Sequence, residues 1–229
     1  RQGMETVGDT TLVAQAIDWC IEERSADIIS LSLGGMQNSD GNTSSEVENA
    51  VMEALGKGVY VVAAAGNDGG VDDDGLVSSP ANVPLVIAVG AVQKGGLIWD
   101  SSSRDDSITD GQGNNRIDPH QKPEITAPGV GIISTAPGTS YFRSSGTSGS
   151  TVFVTGVLAL LLEEHPRMSR SGGVNTDVCI ETMKQALMKS TAPLEESIVH
   201  DNVSGYGTLD AIAWFDSVND ILAEAPCYA

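Results

Sequence analysis

The sequence predicts an α/β sandwich around a mostly parallel sheet, and two observations carry that prediction. Residues 59–64 (VYVVAA) are apolar without alternation, as in a strand covered by helices on both faces. They follow a β-branched run at residues 28–33 and an amphipathic stretch, so strand, helix and strand fall within about 37 residues, the span of a right-handed crossover unit.

The remaining elements follow in order. Leu12, Val13, Ala16, Ile17 and Cys20 recur at helical spacing, with Asp9 or Thr10 placed to cap that helix. Gly34 and Gly35 end the 28–33 strand. The capping-box pattern from Ser45 to Glu48 opens a second helix, predicted to bury Val47, Ala50, Val51, Ala54 and Leu55 and to stop at Gly56 and Gly58. Residues 85–92 supply another strand. Residues 99–121 are polar and rich in Gly and Asp, which predicts a long surface loop. Residues 148–164 are apolar nearly all round, with small Gly156 and Ala159, so this helix is expected at the centre. Residues 174–189 and 209–223 read as two further amphipathic helices. No repeat or linker divides residues 1–229, which read as one unit.

Composition narrows the function. With 229 residues and 40 % apolar content the chain can bury a substantial core. The longest apolar stretch, residues 152–162, is about half the roughly 20 residues of a membrane-spanning helix, and no basic region followed by an apolar run opens the chain. The numbering begins at Arg1, as it would after removal of a leader or a longer N-terminal part. A net charge of −19, from 31 acidic and 12 basic residues, repels nucleic acid and anionic membranes. The carboxylates are scattered and Lys is scarce, a pattern similar to the surfaces of proteins from salt-loving organisms. Cys20, Cys179 and Cys227 are odd in number and widely spaced, so at most one pair bridges, and Cys20 and Cys179 are expected as small buried hydrophobes.

Three segments carry chemistry: SLSLGG at residues 30–35, AAAGND at 63–68, and GTSGSTVFVTG at 146–156, the last preceded by ITAPGVGIIST at 125–135. A serine in the first turn of a helix sits beside unpaired backbone N–H groups and the positive end of the dipole, which stabilise developing negative charge. Ser148 has that position. In order and content these segments, with GYGTLDA at 205–211, resemble the subtilisin-like serine proteases over essentially the whole chain.

The resemblance implies a three-layer α/β/α, subtilisin-like fold lacking its N-terminal part. It implies Ser148 as nucleophile and Asn67 as a side-chain donor to the oxyanion. It also implies Ser32, Leu33 and Gly34 as backbone partners of an extended peptide or protein substrate bound as an added strand. Ala64, Ala65 and Gly66 would wall the pocket for the side chain before the cut. Small residues there leave room for a large apolar side chain, with Asp68 adding some preference for basic ones. Calcium in irregular loops is compatible with the resemblance, with no residue assigned, and no other cofactor is required. Extracellular location follows from the family's habit.

Two departures stand out. Serine attack needs a base and a carboxylate to orient it, and in this family both lie upstream of all the segments that carry the resemblance. The histidines are His120, His165 and His200, and none stands in the family's His-Gly-Thr-His pattern. What precedes Gly3 is too short to hold the missing pair, so an N-terminal segment outside these residues is expected to complete the site. After the serine, Gly149, Ser150, Thr151, Val152, Phe153 and Val154 replace the family's Met-Ala, then Thr- or Ser-Pro-His-Val. A catalytically silent binding protein of this family is therefore the alternative.

A self-contained α/β-hydrolase triad of Ser148, Asp177 and His200 is a third reading, weakened because position 150 is Ser where that family's elbow has Gly. Asp40-Gly41 and Asp72-Asp73-Asp74-Gly75 resemble calcium loops, but in the EF-hand register position twelve falls on Val47 or Ala81. Phosphate-cradling and nucleic-acid motifs are absent.

The acidic surface yields one prediction. Raising salt from low ionic strength to molar sodium chloride should raise the thermal unfolding midpoint by several degrees, followed by circular dichroism, because screening relieves the self-repulsion of −19 charges.

Overall fold

Asp9 opens the first helix, α1 (Thr10–Glu22), by accepting hydrogen bonds at Oδ1 from the N–H groups of Thr11 (3.0 Å) and Leu12 (3.4 Å). The structure, a computed structural model, describes residues 9–35, 46–69, 75–105, 109, 114–172, 176–191 and 200–222. The buried stripe of α1 is Ala14, Ile17 and Ile21, whereas Leu12 is 62 % exposed and Ala16 is exposed. Two apolar stripes compete in this helix, and packing against the next helix selects the second.

Strand β1 (Ile28–Leu31) ends two residues earlier than its apolar run. Helix α2 (Glu46–Gly56) buries all five expected residues, while Ser45 lies outside the described residues. Strands β2 (Tyr60–Ala64) and β3 (Ile87–Val92) are buried throughout, as continuous apolar runs require in a sheet covered on both sides. A fourth strand, β4 (Ile125–Pro128), is absent from the expected order, which passed from loop to helix; four residues ending in Pro carry too little periodic signal. The sheet order is β1-β2-β3-β4, every pair is parallel, and Leu31 pairs with Ala63, Ala64 with Val89, and Val92 with Pro128. All four strands therefore end along one edge.

An antiparallel hairpin, β5 (Ile132–Thr135) and β6 (Tyr141–Ser144), leads into α3 (Thr147–Glu164), which packs across all four strands. Helix α2 packs on β2 and against α4 (Thr176–Ser190), and α4 packs against α5 (Ala211–Leu222). Trp214 of α5 is fully buried and its Nε1 donates to the Met183 carbonyl at 3.4 Å.

Three expectations are corrected. Helix α3 buries one face only, through Val154, Leu158, Leu161 and Leu162, while Val152, Phe153 and Leu160 are 60 %, 45 % and 55 % exposed. The polar stretch after Trp99 does not all run over the surface, because Ser102, Ser103 and Asp105 are buried behind the strand ends. Cys179 is disulfide-bonded rather than a plain buried thiol, Cys20 is free, and Cys227 lies outside the described residues.

A buried charge cluster fastens the opposite end of the sheet. Glu124, just before β4, accepts at Oε1 from Lys122 (2.8 Å) and Lys184 (2.6 Å) and at Oε2 from the Ala88 N–H (2.7 Å). Lys122 also donates to the Val86 carbonyl at 2.6 Å. Burial alone would raise the Glu124 pKa, but the two ammonium groups override it and hold it below its ordinary value. Burial lowers both lysines. One carboxylate thus joins β3, β4 and α4, and removing one partner would strand buried charge.

His120 lies beside this cluster. Burial, reinforced by the Lys184 ammonium, pushes it from 6.5 down to about 4. The unfolded chain takes up this proton below about pH 6.5 and the folded chain only near 4, so stability falls as pH drops through that window. Discounted for partial exposure, the loss is on the order of 2 kcal/mol. Urea unfolding free energies between pH 7 and 4.5 should decline less steeply in His120→Gln. His200, also lowered by burial, keeps some of the slope.

Candidate active site

The first turn of α3 is held by the carboxyl-terminal ends of three strands. Thr147 is fully buried; its Oγ1 donates toward the Gly66 carbonyl (3.2 Å) or Asn67 Oδ1 (3.1 Å) and accepts from the Gly66 N–H (3.2 Å). Beyond β4, the Gly146 N–H donates to the Gly129 carbonyl at 2.8 Å and Ser150 Oγ donates to the Ala127 carbonyl at 2.9 Å. Beyond β1, Ser32 Oγ donates to the Ser148 carbonyl at 3.1 Å. Gly129 permits the approach: a Cβ there would meet Ser150 Oγ at 2.3 Å and the Gly146 carbonyl at 2.8 Å.

These contacts aim two donors at one place. The Thr147 N–H donates to Asn67 Oδ1 at 2.9 Å, which fixes that oxygen as the acceptor and turns Nδ2 away from it. Neither Asn67 Nδ2 nor the Ser148 N–H has an acceptor among the described residues. A Cβ on Gly146 would lie 3.5 Å from Asn67 Oδ1, 3.7 Å from Asn67 Nδ2 and 3.8 Å from the Ser148 nitrogen, so both donors border one small volume that glycine leaves open, with the amide oxygen, already engaged by Thr147, at its edge. Ser148, second residue of α3, is partly exposed, and its Oγ lies 3.5 Å from the Ser32 carbonyl. An anion in that volume would meet two N–H groups and the positive end of an 18-residue helix.

The other expected residues surround the same spot. Ser32, Leu33 and Gly34 are exposed beyond β1, and Leu33 and Gly34 make no backbone hydrogen bond to another described residue. Ala64 and Ala65 are buried, while Gly66, at φ +120°, is half-buried. The altered residues after Ser148 leave the helix start in place: Ser150 is tied to Ala127, and Thr151 Oγ1 donates to the Thr147 carbonyl at 2.9 Å.

The histidines are elsewhere. His165 caps the far end of α3, roughly 25 Å from Ser148 along the helix axis. His200 lies at the opposite end of β4, with Nε2 2.9 Å from the Pro123 carbonyl, and His120 sits beside the buried cluster. The hydrolase triad of Ser148 with His200 is thereby ruled out on geometry, while the Asp177 side chain lies outside the described residues. No group of three potential metal ligands occurs among the described residues, and Asp40-Gly41 and Asp72 to Asp74 lie outside them.

Sequence reading passed over Thr147, although it stands in the middle of the Gly-Thr-Ser segment, and over Ser78 and Ser103. Both serines lie in polar tracts without a motif and reach the site only through tertiary folding.

The fold places this chain with subtilisin-like protease domains. The solved structure of the prenylagaramide maturation protease PagA superposes with a TM-score of 0.71 at 27 % identity, over 95 % of this chain and 71 % of that one. The self-cleaved protease domain of PatA gives 0.69 at 29 %, over 93 % and 69 %. The Subtilase family profile matches residues 3–207, and the chain belongs to that family. It is 34 % identical to subtilisin E of Bacillus subtilis (strain 168) over 159 residues, covering 69 % of this chain and 36 % of the relative. It is 30 % identical to the serine protease AprX of the same strain, covering 92 % and 48 %. The chain thus spans between about a third and a half of these curated relatives.

Thr147→Val keeps the shape and removes three hydroxyl contacts. It should lower the unfolding free energy by about 2 kcal/mol in urea titrations, because the Gly66 N–H loses its acceptor, while the Gly66 carbonyl keeps the Ser103 N–H.

Proposed function

We propose that this chain carries the nucleophile and oxyanion half of a serine endopeptidase site. Ser148 Oγ attacks the scissile carbonyl, and the carbonyl oxygen, as it becomes an oxyanion, takes hydrogen bonds from Asn67 Nδ2 and the Ser148 N–H. The observation carrying this reading is the pair of unpartnered donors flanking the open volume at Gly146, beside the hydroxyl of a helix-N-terminal serine. Family membership and likeness to proteases support it. Substrate lies extended along Ser32, Leu33 and Gly34, and the backbone groups of Leu33 and Gly34, without a partner among the described residues, favour strand addition.

The base and its orienting carboxylate come, on this reading, from a segment outside the 229 residues. Its place is favoured by β1, an edge strand among the described residues, and by the exposed Val152, Phe153 and Leu160 of α3. A strand laid on β1 and a helix laid on α3 would cover both and bring a histidine to Ser148. Export belongs to the same proposal and rests on the family's habit; the relative from Paenibacillus polymyxa is named an intracellular serine protease. No described helix is long and apolar enough to cross a membrane.

A fluorophosphonate probe tests the site. Labelling is expected when the upstream Asp- and His-bearing segment is present, with none in Ser148→Ala. Asn67→Ala should slow labelling by roughly 10²- to 10³-fold, a magnitude borrowed from subtilisin, a member of this family. A folded, complemented protein that takes no label would be a silent relative.

A further inference from the structure

The turn that precedes the last helix carries an asparagine for which the peptidase chemistry has no use. Asn202-Val203-Ser204 is one of two Asn-x-Ser/Thr triplets in the sequence, and the other, Asn42-Thr43-Ser44, lies outside the described residues. Such a triplet is the acceptor pattern for an N-linked oligosaccharide, provided that the fold leaves the asparagine room for the sugar.

The fold does so at Asn202. Asp201 and Gly205 close a tight turn by exchanging N–H···O=C bonds of 2.9 and 2.7 Å. Inside it, Asp201 Oδ1 accepts from the Val203 N–H (2.9 Å), the Ser204 N–H (2.8 Å) and the Ser204 hydroxyl (3.1 Å). The Asn202 carbonyl accepts from the Asp105 N–H at 3.1 Å, which fixes the backbone there. Asn202 is nevertheless exposed, and its side-chain amide has no partner among the described residues, so a sugar on Nδ2 would cost the fold no hydrogen bond. The turn is anchored at the start of β4, where the Tyr206 N–H donates to the Glu124 carbonyl at 2.8 Å. The nucleophile's turn meets the chain beyond the other end of that strand, at Gly129, roughly 16 Å further along at an extended rise per residue. A sugar at Asn202 therefore stands clear of the cleft.

Ser204 is in the opposite state. It is 4 % exposed and its hydroxyl is tied to Asp201. The hydroxyl residue is part of what a transferase recognises, so the folded turn presents only half of the acceptor.

We propose that Asn202 is a site of N-linked glycosylation, filled during export while the chain is still unfolded. The assignment rests on the export reading, because the donor, an oligosaccharide linked through pyrophosphate to a membrane lipid, is met on that route. Asn202 Nδ2 forms a bond to the anomeric carbon of the first sugar and gives up one proton to solvent. The bond from that carbon to the pyrophosphate oxygen breaks, and the lipid pyrophosphate departs with the electron pair. Folding then closes the turn and withdraws Ser204 from recognition.

The test uses the complemented protein, secreted by yeast from a supplied leader so that glycosylation is read independently of the chain's own export. Enzymatic removal of the sugar in heavy-oxygen water turns a glycosylated asparagine into a labelled aspartate, which peptide mass spectrometry locates. Label at residue 202 is expected in most of the secreted protein and none in Asn202→Gln, with the two proteins equal in thermal unfolding and in probe labelling of Ser148. Unglycosylated protein made in bacteria should take sugar at residue 202 from a transferase and its lipid-linked donor when unfolded, and none when folded. Unmodified Asn202 in the secreted protein, sugar confined to Asn42, or a folded chain modified as readily as an unfolded one overturns the proposal. The native leader is followed in parallel. Label under the supplied leader with no protein exported by the native one places the failure in the export reading, and export without label places it in the glycosylation site.

Discussion

The site depends on one close approach, that of the first turn of α3 to the carboxyl-terminal edge of a parallel sheet. A helix start exposes N–H groups that need acceptors, and here no N-cap side chain supplies one. Acceptors and anchors come from neighbouring strands instead: Asn67 Oδ1 takes the Thr147 N–H, Ala127 takes the Ser150 hydroxyl, and Gly66 engages the Thr147 hydroxyl. Each contact satisfies a polar group and also fixes the rotation of the helix. Gly129 is the steric condition for all of them, because any side chain there would push the turn outward. Among the described residues the Ser148 N–H and Asn67 Nδ2 stay without an acceptor, as the proposed oxyanion role requires.

The two ends of the sheet use polarity in opposite ways. At the start of β4 the ionised groups are buried and matched, with Lys122, Lys184 and the Ala88 N–H converging on Glu124. The groups that touch the first turn of α3 at the strand ends, Gly66, Asn67, Ala127 and Ser32, are uncharged, and the buried Asp105–Arg116 ion pair makes none of those contacts. Burial of Ser102 and Ser103 behind β3 extends the same logic, since Ser102 Oγ accepts from the Ala91 N–H at 3.0 Å where the strand turns away.

Much of this was legible in the sequence, and the failures share a cause. Continuous apolar runs announced β2 and β3, and the five buried residues of α2 fell on the expected stripe, because periodicity reports which faces a protein covers. The placement of Ser148 in the first turn of α3 and of Asn67 just beyond β2 was readable because each sits in a short segment whose backbone geometry its neighbours dictate. By contrast β4 is too short to show a period, the competing stripes of α1 are decided by contact with α2, and the exposed face of α3 depends on what lies beside it. Ser78 had no local signal at all. Its position comes from hydrogen bonds to residues 13 and 44 positions away in the chain, through Ala65 and, by way of Ser79, through Gly35.

The bare edge of β1 and the apolar stripe on α3 have a consequence for the chain in solution. Strand backbone that is unpaired among the described residues, beside exposed Val152, Phe153 and Leu160, is a template on which a second copy can add itself, edge to edge. At low ionic strength the −19 charge on each molecule opposes that meeting. Salt removes the opposition while it also relaxes strain within each molecule. The conditions that most firm up the single chain are therefore those in which it is most prone to find another.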